Sequence, residues 1–240
     1  MPVTFSLRGV VVRRGDRTVL DGVDADIPAD GVTVLWGPSG AGKTTLLRLL
    51  DRLDVPDAGT VSYDGTPLDD LDVLALRRRV GMVFQRATPF AGTVRDNLAV
   101  AAPDADDDAV HRVLERVSLD AALLDRGADT LSGGELQRMC LARTLITEPE
   151  AVLLDEPTSA LDEGPRTAFE RSVLELARDG LTVVWVGHDE AQVRRGADTR
   201  WFEDVAVGEE MGRMVKGPLT ITDLINLHMG AGWLVYGNWP

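Results

Sequence analysis

Apolar and polar residues interleave over residues 3–13 and again over 18–27, with Gly15 and Asp16 between the two runs. Runs of that kind around a turn predict two β-strands. The Asp30-Gly31 turn leads into a denser apolar run at 32–36, a third strand. Helical periodicity begins at Lys43 and ends near Leu53, ahead of Pro56 and Gly59. A short strand at 60–63, a turn at Asp64-Gly65 and a helix over 69–79 follow. Residues 80–84 predict a buried strand that delivers Gln85. Helices are expected over 93–100 and 106–117, and an amphipathic one from the 131–135 segment to about Ile146. The acidic run 104–108 suits a solvated helix start, where carboxylates meet the positive end of the helix. A strand at 151–154 ends in Asp155-Glu156, Pro165 opens a helix to Arg178, and a strand at 181–186 ends at Gly187-His188. Strands alternating with helices argue for an α/β fold with a mostly parallel sheet.

Composition narrows the class. A chain of 240 residues holds one domain, or one domain and a small lobe. No apolar run approaches the ~18 residues of a membrane span, and the start lacks a basic-then-apolar signal pattern. A cytoplasmic protein is expected. The single cysteine, Cys140, excludes an internal disulfide and reads as a small buried helix residue. The net charge of −14 argues against nucleic-acid binding, which needs a basic footprint. Lys43 and Lys216 are the only lysines. Excess carboxylate with little lysine fits solvation in high salt, and a GC-rich genome accounts for the arginine bias equally well.

The chemistry centres on residues 37–44, GPSGAGKT, between the third strand and its helix. G-x-x-x-x-G-K-T is a phosphate-binding loop. Gly37, Pro38, Ser39, Gly40, Ala41 and Gly42 form the loop, and Lys43, Thr44 and Thr45 open the helix. Glycines bring backbone N–H groups to phosphate oxygens, and the helix adds its positive end. Lys43 is expected on the β- and γ-phosphates of a nucleotide and the Thr44 hydroxyl on Mg²⁺. Asp155 at a strand end can support the metal, and Glu156 beside it can polarise an attacking water. Ser132, Gly133 and Gly134 at a helix start make a second anion site.

In order along the chain stand the phosphate loop, Gln85, LSGGE at 131–135, Asp155-Glu156, Ser159 to Asp162, and His188. This succession resembles the ATP-binding subunit of an ABC transporter over residues 1 to about 199. The resemblance implies a P-loop NTPase fold: a RecA-like α/β core, an antiparallel β layer and a small helical lobe at about 86–145. It implies that Gln85 and His188 sense the γ-phosphate, with Gln85 also near Mg²⁺. It implies a homodimer with two ATPs sandwiched between phosphate loop and signature, where Ser132 and Gly134 act on the partner's ATP and make little sense within their own subunit. Asp162 would lie across that interface. A separate membrane permease would be driven from the cytoplasmic face of the membrane. A soluble ABC ATPase of DNA repair or translation is the alternative, although such relatives carry coiled coils or two ATP domains.

The chain departs from the family in three places. Arg14 stands where an aromatic ring normally meets adenine; a guanidinium can stack on a base, and a solvated turn residue is equally expected. The 85–132 span is short. Its VFQRATPFAGTVRDNL resembles small subunits linked to phosphate or metal transport, with Arg86, Thr88, Pro89 and Phe90 as candidate permease contacts or a plain turn. Residues 201–240 carry Trp201, Trp233 and Trp239 and weakly resemble the opening of a MaoC-like dehydratase, without its catalytic segment. A last β turn followed by a docking helix over 221–229 is the milder alternative. A tail that blocks the dimer face, leaving an inactive hybrid, is the harsher one.

Overall fold

The computed structural model describes residues 3–29, 31–187, 227–228 and 233–234. It divides into two compact units, Met1–Leu76 with Val184–Pro240, and Arg77–Val183.

In the first unit, β1 (Val3–Arg14) and β2 (Arg17–Pro28) form the predicted hairpin, extended by β4 (Ala58–Tyr63) and β5 (Thr66–Pro67) into an antiparallel sheet ordered β2-β1-β4-β5. On β1 the buried positions are Phe5 and Leu7, then Val10 and Val12. That switch from odd to even would turn Val10 and Val12 outward in an unbroken strand. A bulge between Leu7 and Val10, with Gly9 at φ 58°, absorbs the extra residue and keeps both inside. Phe5 sits opposite Tyr63 with ring centroids 5.0 Å apart. β3 (Val32–Trp36) leads through the glycine loop into α1 (Lys43–Leu50), which buries Leu46, Leu47, Leu49 and Leu50. The helix stops short of the expected Leu53 because Asp51 accepts from the Leu53 N–H at 3.1 Å and Arg52 takes φ 57°.

α2 (Val73–Arg79) and β8 (Thr182–Gly187) straddle the division between units. The helix expected over 69–79 is broken. Leu68–Asp70 is a 3₁₀ turn, Leu71 is extended, and the Asp72 carboxylate accepts from the Ala75 N–H at 2.8 Å to start α2 afresh.

In the second unit, β6 (Val80–Val83) pairs in parallel with β7 (Ala151–Asp155), Val80 opposite Ala151 and Val83 opposite Leu154. Phe84 lies beyond the strand and is 49% exposed, against the expectation of a buried residue. α3 (Val94–Ala101) and α4 (Asp107–Arg116) start at Thr93 and Asp106, whose side chains accept from backbone N–H groups. α5 (Gly133–Leu145) packs against α3, α4, α6 (Glu163–Arg178) and β6. Met139, Cys140, Leu141 and Ala142 are all buried, so α5 is enclosed rather than amphipathic. Pro165 is the third residue of α6, not its first, because Asp162 is the N-cap.

Of the tail, Leu227–His228 (β9) pairs antiparallel with Trp233–Leu234 (β10). This corrects the docking helix expected over 221–229 at its residues 227–228, whose extended, ladder-paired backbone is not helical. His188 and most of 201–240 lie outside the described residues.

Candidate functional site

The phosphate loop sits in the first unit. Gly42, the N-cap of α1, has φ 89°, and a Cβ there would lie 2.7 Å from Leu20 Cδ2. Only glycine both adopts that turn and lets the loop lie on β2. Lys43 is 6% exposed, and its ammonium donates to Gly37 O at 2.7 Å and Pro38 O at 3.0 Å. The first turn of α1 has no acidic residue to neutralise its positive end. Thr44 is exposed on that turn, and Ser39 and Gly40 are exposed on the loop. A buried cation held by loop carbonyls at the positive end of a helix fits a polyphosphate. Arg14 pairs with Asp54 Oδ1 at 2.7 Å and donates to its neighbour's carbonyl, Arg13 O, at 3.2 Å.

The second unit holds the acidic pair. Asp155, 7% exposed, closes β7. Glu156 follows with φ 45°, a left-handed backbone that a non-glycine residue adopts at a cost of about 1–3 kcal/mol. Gln85 Nε2 donates to Glu156 Oε2 at 3.1 Å and to Ser159 Oγ at 3.4 Å. The fold thus brings Gln85 and Glu156 together, and adds Ser159. Among the described residues no three His, Cys, Asp or Glu side chains gather as a metal cage. Thr44, Gln85 and Asp155 are hard oxygen donors of the kind that hold Mg²⁺ through one or two ligands, with waters and phosphates completing the shell.

Ser132 and Gly134 each have work within their own chain, contrary to expectation. Ser132 caps α5 in a reciprocal box: its Oγ and N–H donate to Glu135 Oε2 at 2.7 and 2.8 Å, and the Glu135 N–H reaches back to Ser132 Oγ at 3.4 Å. These bonds hold the Glu135 carboxyl below its ordinary pKa, the Ser132 hydroxyl contributing most. A carboxyl depressed on folding stabilises above its unfolded pKa, and that stability is lost as pH falls through the folded value. Wild type is therefore expected to melt above Glu135→Gln at pH 7, the gap closing as pH drops below about 4. A gap independent of pH refutes the carboxylate's role.

Gly134 is buried, and a Cβ on it would stand 2.6 Å from Pro165 Cβ on a rigid ring. Gly134→Ala gains about 1 kcal/mol of helix propensity against about 1–3 kcal/mol of overpacking. Net destabilisation is expected, read as a lower urea midpoint. At Gly133 the nearest atom, Leu161 Cδ2, is 3.8 Å away, and Gly133→Ala should not lower the midpoint. Equal midpoints for the two variants would remove the packing role. Gly133 and Asp162 are exposed, and Asp162 makes no side-chain cap bond.

Two residues escaped the sequence. Asn97, fully buried in α3, accepts from the Phe90 N–H at 2.8 Å and donates to Phe90 O at 3.1 Å. Arg143 of α5 donates to Asn97 Oδ1 at 3.1 Å and Thr88 O at 3.2 Å, with its guanidinium 4.5 Å from the Phe90 ring centroid. Together they fix Thr88–Phe90, the segment after Gln85, and leave Phe90 49% exposed. An asparagine inside an apolar helix face was the available signal.

Residues 20–159 match the family model described as "ABC transporter". Protein STAR1 of Oryza sativa is 45% identical over 200 residues, 80% of this chain, and the chain spans 58% of that relative's length. Phosphate import ATP-binding protein PstB 3 of Natronomonas pharaonis is 42% identical over 78% of this chain and 73% of its own. Among solved structures, cbiO1 of Clostridium perfringens, part of the transporter complex cbiONQ, superposes with a TM-score of 0.72 at 25% identity, covering 79% of this chain and 80% of its own. The chain belongs to the ABC transporter family, and residues 20–159 fall in the ATPase domain of that family.

Proposed function

We propose that this chain binds and hydrolyses ATP as a subunit of an ABC transporter, closing as a homodimer on ATP and reopening on hydrolysis to drive a separate permease. The observation that carries it is the Gln85 amide on the Glu156 carboxylate, with Glu156 in a strained backbone beside the buried Asp155. Strain of this kind collects where the surrounding structure must hold one side chain in place for chemistry.

Lys43 and the loop residues bind the phosphates. Thr44, Asp155 and Gln85 are the residues that would hold Mg²⁺, which would neutralise phosphate charge. Glu156 takes the proton of the attacking water, with Gln85 holding its carboxylate. His188 contacts the γ-phosphate. Ser132, Gly133 and Gly134 present the α5 N-terminus to the partner's ATP, and Asp162 lies at that interface. The capping box supports this role, since it fixes the Ser132 hydroxyl at the helix end.

The ATP-binding domain is assigned to residues 1–200, with the helical lobe at about 86–145 and 201–240 as an atypical tail. The tail's likeness to a MaoC-like dehydratase carries no activity. Among the described residues no helix is long and apolar enough to cross a membrane. The solute path is assigned to a permease gripped by Thr88–Phe90 on the cytoplasmic face. Phosphate import is the favoured task, supported by the name of the Natronomonas pharaonis relative.

The test is capture of the tagged chain from detergent-solubilised membranes in high salt, paired with an assay of phosphate release from Mg-ATP. A polytopic permease and ATP turnover are expected. Ribosomes or DNA in the capture, or no turnover, would refute the assignment.

A further inference from the structure

We infer that Arg17, which nothing in the motif pattern singles out, is the hairpin residue that contacts the nucleotide, through its phosphate chain. The inference rests on the ATP-binding reading above and names a further binding residue for it.

The argument starts from register. Arg14 and Arg17 flank the Gly15-Asp16 turn and face each other directly across the β1–β2 hairpin. Like charges in directly opposed positions repel, and the two side chains are anchored apart. Arg14 turns to Asp54, beyond the C-terminal end of α1, in an ion pair of 2.7 Å. Arg17 turns to the phosphate loop, where its Nη2 donates to Gly40 O at 3.3 Å. One hairpin end thus straddles α1, with Arg14 at its exit and Arg17 at its entrance.

The two arginines differ in what they have to offer. The Arg14 charge is matched by a carboxylate. Among the described residues Arg17 meets no carboxylate partner; it is exposed and spends one of its five N–H donors on the loop carbonyl. An unmatched guanidinium against a phosphate-binding backbone is the arrangement that recognises phosphate oxygens. It also suits the net charge of −14. An anionic nucleotide approaching this chain meets repulsion nearly everywhere, and a second cation beside Lys43 lowers that barrier locally.

The experiment is titration of the full-length chain with Mg-ATP, and with inorganic tripolyphosphate as competitor, for wild type, Arg17→Ala and Arg17→Lys. Melting temperatures establish that each variant is folded. Arg17→Ala is expected to weaken ATP about tenfold and tripolyphosphate in the same proportion, with Arg17→Lys between. The ATP affinity of Arg17→Ala should also depend less steeply on salt than that of wild type, which a purely structural role would not produce. ATP affinity within twofold of wild type in both variants would overturn the assignment. A loss for ATP without a loss for tripolyphosphate would overturn it too, by moving the contact to base or sugar. Wild type that binds neither ligand would instead overturn the ATP-binding reading itself, and Arg17 with it.

Discussion

Glu156→Gln is expected to cut ATP turnover by about 10²–10⁴-fold, the usual worth of a positioned general base, while ATP still binds. The substitution removes the carboxylate proposed to take the water's proton. Glutamine keeps the shape of the side chain, and its amide oxygen can still accept from Gln85 Nε2, now 3.1 Å from the carboxylate. The left-handed backbone at φ 45° is set by the fold around it and is tolerated comparably by either side chain. With hydrolysis blocked, the ATP-closed dimer should accumulate. Gel filtration in high salt then shows monomer without nucleotide and dimer with Mg-ATP. Turnover within tenfold of wild type would remove Glu156 from the chemistry.

Lys43→Ala acts one step earlier and is expected to weaken Mg-ATP binding by about 10²–10⁴-fold, from two charge-assisted hydrogen bonds of about 1.5–3 kcal/mol each. The side chain is 6% exposed, so water cannot easily replace it. Its ammonium also holds the loop, through Gly37 O at 2.7 Å and Pro38 O at 3.0 Å. Alanine removes both the proposed phosphate contact and the loop's internal brace. Equilibrium titration with a fluorescent ATP analogue measures the loss. Affinity within fivefold of wild type would mean that the loop binds phosphate through its backbone alone. Lys43→Arg separates the two contributions, since it keeps the charge and changes the reach.

What the sequence disclosed was mainly local. The phosphate loop is contiguous, so its spacing alone announces a strand, a glycine turn and a helix. The β1–β2 hairpin was equally plain, because its turn and both strands are adjacent. Gln85 and Glu156 are separated by 71 positions. No periodicity relates them, and only the family resemblance grouped them. The Ser132–Glu135 box was written in the sequence as S-x-x-E, yet its capping role was hidden behind the expected trans role. Side-chain direction was not legible at all. Arg14 and Arg17 carry the same chemistry, and only the opposed register with Asp54 on one side and Gly40 on the other separates their fates. The break at Leu71 was missed because its cause, the Asp72 cap, looks like an ordinary acidic residue in a helix. Asn97 and Arg143 were missed because their partners are backbone groups of a remote loop.

The capping box at Ser132 has a mechanical consequence. α5 is 13 residues long, a rod of about 20 Å. The box pins its first turn, so the leading end does not fray. Near the trailing end Arg143 grips Thr88 and the face of Phe90. Burial of Met139, Cys140, Leu141 and Ala142 leaves the middle of the rod little room to bend, and the dense packing around it resists compression. A push on Ser132 along the axis is therefore carried toward the Thr88–Phe90 segment. The helix end proposed to meet the partner's ATP and the half-exposed Phe90 ring are then the two ends of one piston.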